Sequence, residues 1–478
     1  MYRSKHLRTA ILAIAITVHY AEFAQSSEQI EEISETCNLD DLNHSVLVEC
    51  NITSCGTLNE NEQKTWPTSE AEIIHIFSSK AGARFSRVDL PNLNYEESPK
   101  QKLLDINTTL TVYRKMRKPK VKNKLIGFGA TLNLAELTGD FENSHALVLE
   151  DLIGDNARIE ILRLSMNAST NYPNLGQTLM NLDQFVARAR NYDTQRAPLK
   201  LVLDVQVESL RDGRGQATSS LVETIQALSS IDEKLSSVSL WAISFDDVFL
   251  SDPRQVHREY LELTRKSLPR VLILASVPMV RAPEIADRFS GSPHSIDGLL
   301  LMSQTSVPYN VLEYLRPKFN IILTVGRKYP KTRDYGDWDN AQVQAIEILN
   351  HLRYNSMGFI ENLSTMDILS KSSPNQDCSL YNLQSRNLVH FRGPMFYATG
   401  HFSRYLSENS ELLEISVFTQ PNMFAAHYSA FITPGNFLVA VILNSNDHLL
   451  PFRLELDNRI LAFTHLEPKS FNTILVKL

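Results

Sequence analysis

Two adjacent carboxylates, Asp246 and Asp247, follow a short apolar run near the middle of the chain. The stretch 240–253 reads L-W-A-I-S-F-D-D-V-F-L-S-D-P, and its first half has the branched and aromatic character of a buried strand. Where parallel strands form a barrel, catalytic side chains stand at the carboxyl ends of the strands. These aspartates could therefore transfer protons, although acidic residues at strand ends are more often solvated caps or groups that orient a loop.

Glu361 and Glu208 are two further carboxylates that follow apolar runs. Glu361 ends the run 356–361, and Glu208 comes after the run 199–205. Each could supply a second acidic group to a site at the strand ends. For both residues, a structural role as a solvated cap of the strand end is favoured over a catalytic role.

Arg163 and Trp241 complete the candidate pocket. Arg163 lies inside the apolar run 159–166, and we expect its guanidinium to pair with Asp204 or with Asp246; both pairings stay open. Sugar-binding sites usually present aromatic faces, and Trp241 is the aromatic residue assigned here. We therefore expect Arg163, Trp241 and Asp204 to line one pocket.

The elements that must position these side chains are predicted by the apolar rhythm after residue 125. Branched apolar runs alternate there with amphipathic segments of helical spacing, of which 340–352 is the clearest. The runs are 125–132, 159–166, 199–205, 238–245, 270–277, 298–304, 320–326 and 356–361. Eight strand–helix units over about 240 residues predict an α/β protein with a (β/α)8 TIM barrel.

Both chain ends predict antiparallel strands, in which apolar and polar residues alternate. The runs are 72–77, 85–90 and 109–113 before the barrel, and 413–418, 423–432, 437–444, 449–456 and 470–478 after it. We expect them to form one appended antiparallel β-sandwich built from both ends. The predicted divisions are a signal peptide (1–26), a cysteine-bearing arm (27–60), N-terminal sandwich strands (61–124), the barrel (125–390) and the C-terminal sandwich (391–478).

The first 26 residues have the pattern of a secretory signal peptide. Basic residues at positions 3, 5 and 8 precede the apolar run 9–18, and small residues follow at 21–26. Entry into the secretory pathway is therefore expected, with the lysosome or the extracellular space as destination. The chain also has N-x-[ST] acceptor sequences for N-glycosylation. These are Asn43, Asn51, Asn107, Asn167 and Asn362.

The spacing of cysteine and histidine residues does not predict a metal site, and no sequence fingerprint predicts a cofactor. Cys50 and Cys55 enclose a short loop that a disulfide could close in an oxidising compartment. Cys37 and Cys378 could pair with each other, but their connectivity stays open. His401 is expected to be a packed core histidine rather than a metal ligand.

The charge of the chain argues against nucleic-acid binding. Its formal net charge is −7, and the pI is about 6.0. The basic segment 114–124 is the exception. It is interpreted as a solvated turn, with peripheral contact to anionic lipid as the alternative.

Several short motifs resemble those of glycoside hydrolase family 30, and specifically of the lysosomal glucosylceramidases. The resembling segments are G-F-G-A at 127–130, C-N-I-T-S-C at 50–55, I-L-R-L-S-M at 161–166, G-D-W-D at 336–339, G-P-M-F-Y at 393–397 and G-H-F-S at 400–403. They span most of the mature chain in the family's order. The resemblance implies a retaining glycosidase that acts on glucosylceramide, for which two carboxylic groups about 5–5.5 Å apart are needed.

Both catalytic positions implied by the resemblance hold valine. Aligned on Trp241, the acid/base slot after the fourth strand falls on Val248, and the nucleophile slot after the seventh falls on Val325. Valine can neither attack an anomeric carbon nor transfer a proton. Other family pocket residues fall on Leu134 and on the segment 302–304. The sequence therefore predicts a non-hydrolytic family member.

Such a protein would act by binding. The expected partners are glucosylceramide or another glycolipid, a saposin-type activator, or an active paralogue. The alternative is an active glucosylceramidase that uses relocated carboxylates, for which Asp246, Asp247 and Glu361 are the candidates.

Overall fold

A computed structural model describes the greater part of the chain, and the structural statements below concern the described residues. The described ranges are 48–50, 66–70, 72–80, 85–91, 108–114, 124–134, 144–154, 157–167, 174–190, 196–206, 216–251, 257–290, 295–303, 309–326, 338–354, 356–362, 381–384, 389–419 and 426–478.

The described strands fall into one closed barrel and three antiparallel or mixed sheets. In chain order they are β1 (Val48–Cys50), β2 (Glu72–Ser79), β3 (Ser86–Pro91), β4 (Thr108–Tyr113), β5 (Gly127–Asn133), β6 (Ile161–Asn167), β7 (Leu199–Gln206), β8 (Val238–Asp246), β9 (Leu272–Pro278), β10 (Gly298–Met302), β11 (Ile321–Val325), β12 (Gly358–Asn362), β13 (Tyr381–Gln384), β14 (Val389–Arg392), β15 (Glu411–Leu412), β16 (Glu414–Thr419), β17 (Ala426–Ile432), β18 (Phe437–Asn444), β19 (Leu450–Leu456), β20 (Arg459–Leu466) and β21 (Ser470–Lys477).

The described helices lie mostly between the barrel strands. They are α1 (Ser144–Ile153), α2 (Leu175–Ala189), α3 (Gln216–Ile231), α4 (Asp247–Leu250), α5 (His257–Ser267), α6 (Ala282–Phe289), α7 (Tyr309–Leu315), α8 (Trp338–Arg353) and α9 (Pro394–Ser403). Helix α2 shows the amphipathic pattern of a helix that packs on a barrel. One face carries Leu175, Leu179, Leu182 and Val186 at helical spacing, and all four are buried. Within the described parts, no helix combines the length and apolar character needed to span a membrane.

The predicted barrel is confirmed. Strands β5 to β12 pair in parallel and close in the order β10-β11-β12-β5-β6-β7-β8-β9. The seam between the last and first strands joins β12 to β5, with Gly358 opposite Gly127. A Cβ atom at Gly358 would overlap the carbonyl oxygen of Gly127, so this seam requires glycine at that position.

The barrel interior holds an apolar cluster of its own. Alternate strand residues point inward, because side chains alternate between the two faces of a strand. The buried members of this cluster are Ile126, Ile161, Val202, Ala242, Leu274, Leu300, Leu323, Val325 and Ile360. Their neighbours along the strands, such as Leu162 and Leu164, instead join the larger core between the strands and the helices.

The predicted sandwich of both chain ends is also confirmed. Its two layers are a six-stranded sheet of order β15-β17-β18-β21-β2-β3 and a four-stranded sheet of order β16-β4-β19-β20. Ile73 near the start of the chain is the register partner of Val476 near its end. Ile73 and Val476 share one apolar core with residues of the second sheet, such as Leu110 and Phe452.

Strand β20 is not among the strands that alternation predicts. It follows β19 through Asp457 and Asn458, which both have positive φ, at 50° and 66°. Two consecutive residues of that conformation form the tight turn that suits a two-residue hairpin. The Asp-Asn pair is therefore the sequence signal for this hairpin.

Helix α9 joins the barrel to the sandwich. His401 is completely buried there, and its two ring nitrogens lie 2.9 Å from Thr473 Oγ1 and 3.1 Å from Ser78 Oγ. Phe402 on the same helix packs against Phe128 of the barrel. The prediction of a core histidine is confirmed, and the surrounding aromatic residues form the interface between barrel and sandwich. The segment after residue 391 thus opens with a helix before the sandwich strands begin.

A third sheet, which the sequence did not predict, consists of three short strands. Its order is β1-β14-β13, and Glu49 is the register partner of Phe391. The backbone of the N-terminal arm is thereby paired with the segment that follows the barrel. Nothing is described of the Cys50 side chain, and Cys37, Cys55 and Cys378 lie outside the described residues.

Candidate functional site

A buried ion pair stands inside the barrel, beside the apolar cluster. Arg163 of β6 pairs through Nη2 with Asp204 of the neighbouring strand β7, and both side chains are at most 4% exposed. Ser244 of β8 donates its hydroxyl proton to the other carboxylate oxygen of Asp204. Of the two predicted partners of Arg163, the structure therefore selects Asp204.

The strand register explains this arrangement. Ser165, Asp204 and Ser244 are register partners across β6, β7 and β8. Arg163 precedes Ser165 by two residues, so it belongs to the same inward-facing row of β6. Ser244 was not predicted as a site residue. It precedes Asp246 by two residues, so strand alternation places both on the same face of β8, and this spacing could have identified it.

The Arg163 side chain reaches across the barrel. Its Nη1 donates to Thr131 Oγ1 at 3.3 Å, and its Nη2 lies 3.8 Å from Met302 Sδ on β10. Ser276 of β9 also contacts this sulfur, with Oγ at 3.7 Å. Since β6 and β10 stand on opposite sides of the barrel, these side chains together fill the interior at this level.

Val325 occupies the predicted nucleophile position. It is the last residue of β11, it is fully buried, and it belongs to the inward-facing apolar cluster. Its register partners are Met302 and Ile360 on the two adjacent strands. A branched hydrocarbon, flanked by two more apolar side chains, thus lies where the resemblance places a carboxylate.

Asp246 and Asp247 are both engaged in local structure. Asp246 is the N-cap of the short helix α4 and accepts a hydrogen bond from the backbone N–H of Phe249 at 2.7 Å. Asp247 pairs with Arg281, whose Nη2 also donates to Ser251 at 2.9 Å. The preferred interpretation of this pair as capping and loop-orienting groups therefore agrees with the geometry. The backbone of Val248 lies in α4, and its side chain is outside the described set.

Glu361 does not face the barrel interior, which corrects the prediction of it as a relocated catalytic carboxylate. Ile360, its neighbour on β12, belongs to the inward cluster. Strand alternation therefore turns Glu361 outward, toward α8. There it is buried and accepts a hydrogen bond from Gln344 Nε2, which also lies 3.2 Å from Thr399 of α9.

Trp241, which is predicted to share a pocket with Arg163 and Asp204, stands three residues before Ser244 on β8. It lies in the amino-terminal half of β8 and packs, partly buried, against the apolar cluster of the interior. A register shift between β7 and β8 falls beside it, since Leu201 pairs with Leu240 and Val202 with Ala242. Because of this irregularity, regular alternation along β8 does not predict the face on which Trp241 lies.

The other predicted site positions divide into two groups. Leu134 is buried in the core, and Ser303 hydrogen-bonds through Oγ to Glu347 on α8, so neither presents a catalytic group. Met302 contacts Arg163, as described above. The residues Glu208, Gln304, Asn43, Asn51 and Asn107 lie outside the described residues.

The outer side of β11 carries a second polar network. Thr324 Oγ1 lies 3.2 Å from His351 Nδ1 on α8 and 3.0 Å from Ser356 Oγ. Burial lowers the pKa of His351 to about 4, so its imidazole is neutral near pH 7. Glu347 Oε1 lies 3.9 Å from the other ring nitrogen. All three network members are buried, so the network joins strand to helix rather than serving a substrate.

The chemistry available to this site follows from these contacts. The described carboxylates near the carboxyl end of β7 and β8 are each bound by other protein groups. Asp204 is bound by Arg163 and Ser244, while Asp246 caps a helix start and Asp247 pairs with Arg281. No group of three or more His, Cys, Asp or Glu side chains suited to a metal ion occurs among the described residues.

The sandwich has a recognisable relative. Residues 415–474 match the model described as the glycosyl hydrolase family 30 beta sandwich domain. A curated relative from Caenorhabditis elegans, "Putative glucosylceramidase 3", is 25% identical over 149 residues, which make up 30% of this chain and 27% of the relative. The chain thus spans about a quarter of the length of this curated relative.

Solved structures share the whole architecture. SrfJ from Salmonella typhimurium superposes with a TM-score of 0.64 at 13% identity, over 85% of this chain and 100% of that one. A family 30 endoxylanase from Clostridium papyrosolvens C71 superposes with a TM-score of 0.54 at 15% identity, over 77% of this chain and 100% of that one. At these identities the likeness shows the fold: a TIM barrel with a β-sandwich.

Proposed function

We propose that this chain is a non-hydrolytic member of glycoside hydrolase family 30 which acts by binding. Its match to the family 30 beta sandwich domain and its glucosylceramidase-like relative support the family. A retaining glycosidase needs a nucleophile and an acid/base on opposite sides of the scissile bond. The family resemblance assigns these two roles to the positions of Val325 and Val248.

The observation that carries this proposal is the setting of Val325. Its side chain is fully buried between Met302 and Ile360 in the barrel interior. An ionised glutamate at this position would lose its hydration without gaining a cationic partner from these two neighbours. The surroundings are therefore adapted to a hydrocarbon side chain, which supports a lasting loss of the nucleophile.

The filled interior supports the same proposal. The head group of Arg163 contacts Thr131, Asp204 and Met302, and Met302 is the register partner of Val325. Asp204 in turn has two donors, Arg163 and Ser244, so each of its carboxylate oxygens already has a partner. A protein of this design would use the rim of the barrel or the sandwich for recognition.

Glucosylceramide or another β-glucosyl lipid is the proposed ligand class. It is supported by the name of the curated relative alone. A saposin-type activator or an active paralogue is the corresponding protein partner. Both proposals place the protein in the secretory pathway, in the lysosome or outside the cell, in accordance with the signal-like N-terminus.

A direct test of hydrolysis uses a fluorogenic β-glucoside at acidic pH, with an active glucosylceramidase as the positive control. The wild-type chain should give no turnover above background, because general acid–base catalysis alone is worth about 10²–10⁴-fold. The variants Val248→Glu with Val325→Glu, and their matched amides Val248→Gln with Val325→Gln, measure whether the surrounding pocket is retained. Wild-type turnover that disappears when one of the chain's own carboxylates is substituted would overturn the proposal.

Binding is measured separately. Vesicles that contain glucosylceramide are compared with vesicles that contain galactosylceramide, which differs in the configuration of one hydroxyl group. Selective sedimentation with the glucosyl lipid supports the ligand class. Equal sedimentation, or none, rejects the ligand class and leaves the conclusion on hydrolysis unchanged.

A further inference from the structure

The sulfur atom of Met302 is in contact with two hydrogen-bond donors. Met302 is the last residue of β10, and its side chain is partly exposed and packs against the apolar cluster of the barrel interior. Its Sδ lies 3.8 Å from Arg163 Nη2 and 3.7 Å from Ser276 Oγ. A thioether sulfur is only a weak acceptor, so this sulfur has stronger donors around it than its own chemistry can use.

The positions of the two donors suit an oxygen atom bonded to this sulfur. With an S–O bond of about 1.5 Å, a hydrogen bond of about 2.8 Å and an angle of about 120° at the oxygen, the donor lies about 3.8 Å from the sulfur. The separations of 3.8 and 3.7 Å agree with this value. Because a sulfoxide is polar where a thioether is apolar, the donors satisfy the oxidised side chain better than the reduced one.

Oxidation leaves the Arg163–Asp204 pair in place. The nitrogen Nη2 of a guanidinium carries two hydrogens. One of them serves the ion pair with Asp204, and the other is available to an acceptor at Met302. The hydroxyl of Ser276, which is only 7% exposed, is the second donor. A sulfoxide oxygen therefore gains partners without displacing the partner of a buried carboxylate.

Other methionines of the chain lack this environment. Met166 and Met279 are buried, at 2% and 1% exposure. Met357 and Met395 are partly exposed, as Met302 is, and pack against apolar clusters. Within the described part of the chain, neither of their sulfur atoms has a hydrogen-bond donor in contact. Met357 and Met395 are therefore suitable internal references for Met302.

We propose that Met302 is a site of oxidation by hydrogen peroxide, and that Arg163 and Ser276 hold the resulting sulfoxide oxygen. A lone pair of the sulfur attacks one peroxide oxygen, the S–O bond forms and the O–O bond breaks. The departing hydroxide takes the proton of the new S–OH group and becomes water. The sulfur is oxidised by two electrons and the peroxide is reduced. The donors favour this step because they stabilise the charge that develops on the departing oxygen. The inference is independent of the proposed function.

Selectivity is tested on the folded full chain, which is exposed briefly to hydrogen peroxide. Peptide mapping by mass spectrometry then locates each added oxygen atom. Met302 should react about 5-fold faster than Met357 and Met395, a factor within the range that ordinary hydrogen bonds can supply. In concentrated urea the three methionines should react alike. Equal rates in the folded protein would overturn the proposal.

The part played by the hydroxyl group is tested by substitution. Ser276→Ala should slow the oxidation of Met302 by about 2–10-fold relative to Met357 in the same sample. Ser165→Ala is the matched control and should leave the rate unchanged, because Ser165 Oγ lies 3.5 Å from the carbonyl oxygen of Leu132 and bonds there instead. An unchanged rate in Ser276→Ala would remove Ser276 from the proposal. Should this variant not fold, the wild-type comparison decides.

The configuration of the sulfoxide gives a readout that exposure alone would not change. The two lone pairs of the sulfur lead to different epimers, and methionine sulfoxide reductases A and B each accept one of them. Peptides from the oxidised folded protein are treated with one reductase or the other. One epimer of Met302 should predominate at least about 5-fold, because the donors are fixed in position. Oxidation in urea should give similar amounts of both. An equal mixture from the folded protein would contradict an oxygen held by Arg163 and Ser276.

Discussion

Arg163 on β6 and Met302 on β10 contact each other across the full width of the barrel, with Nη2 3.8 Å from Sδ. The same nitrogen pairs with Asp204. The guanidinium is thereby held between a carboxylate on the adjacent strand and a thioether on the opposite one. This arrangement ties the two halves of the barrel together at the level of the candidate site.

The first prediction concerns this ion pair. Arg163→Leu leaves the Asp204 carboxylate buried without its cation, and should lower the free energy of unfolding by about 3–5 kcal/mol. Because replacing a whole buried pair by apolar residues is often neutral, Arg163→Leu with Asp204→Leu should recover most of that loss. Urea denaturation of both variants measures the difference. Equal destabilisation of the single and double variants would contradict a paired role.

A second prediction concerns Asp183 of α2. Its Oδ1 accepts backbone N–H bonds from Ser236, Ser237 and Val238 at 2.9, 2.7 and 2.8 Å, and so anchors the start of β8. Asp183→Ala removes an acceptor from three partly or fully buried donors. The expected cost is about 2–4 kcal/mol, since each unsatisfied donor costs about 1–3 kcal/mol when water cannot reach it.

The matched control for Asp183 lies on the same helix. Asn181 is exposed, and its side chain accepts only from Gln177, at 2.8 Å, in the contacts of the described residues. Asn181→Ala should change the free energy of unfolding by less than about 0.5 kcal/mol. Thermal denaturation of both variants checks the contrast, and similar melting temperatures would refute the anchoring role.

A third prediction is a loss of stability in acid. Burial lowers the pKa of both His75 and His351 from 6.5 to about 4. The unfolded chain therefore binds more protons than the folded chain between these values, and stability falls as the pH drops from 6.5 toward 4. Each histidine contributes about 1.4 kcal/mol per pH unit in this window, or about 2 kcal/mol by pH 5.

Urea denaturation at pH 7 and pH 5 measures the effect. His75→Gln and His351→Gln should each reduce the difference between the two pH values by about 2 kcal/mol, because glutamine does not titrate. Ser416→Ala, on the exposed edge of the sandwich, is the control and should leave the difference unchanged, because serine does not titrate in this range. If His75→Gln and His351→Gln leave the change in stability between pH 7 and pH 5 unaltered, these two histidines do not cause the loss of stability in acid.

A fourth prediction tests the seam of the barrel. Gly358→Ala brings a methyl group against the carbonyl oxygen of Gly127, and backbone on the opposite strand cannot rotate away as a side chain can. The expected destabilisation is about 1–3 kcal/mol or more. Gly176→Ala is the control, because its Cβ would meet only the Ile231 side chain, at 3.3 Å. Comparable melting temperatures for the two variants would contradict a backbone clash.

Much of the fold could be predicted because its signals are local. Apolar runs such as 199–205 and 298–304 contain their own strand pattern, and the helical spacing around Leu349 fixes α8 in the same way. The three-stranded sheet was missed because β1 and β14 are three to four residues long and pair over more than 300 positions. A run that short carries too little periodicity to be recognised.

The site was harder to predict, because its chemistry depends on which face of a strand a residue occupies. Glu361 ends an apolar run, as a catalytic residue would. Because its neighbour Ile360 faces inward, Glu361 faces outward and contacts Gln344. The face of β8 on which Trp241 lies is hard to predict for a related reason, since the irregular pairing beside it shifts the phase of β8. Arg163 and Asp204 were grouped correctly because β6 and β7 pair with each other without a register shift.

The pairing of Ile73 with Val476 has a consequence for biosynthesis. At a synthesis rate of about 5–20 residues per second, β2 waits roughly 20–80 s for β21 to leave the ribosome. Throughout that interval the nascent chain carries an open strand edge beside a barrel that is still being completed. We expect such a polypeptide to need holding chaperones during translation, and loss of even the last strand would leave β2 paired with β3 alone.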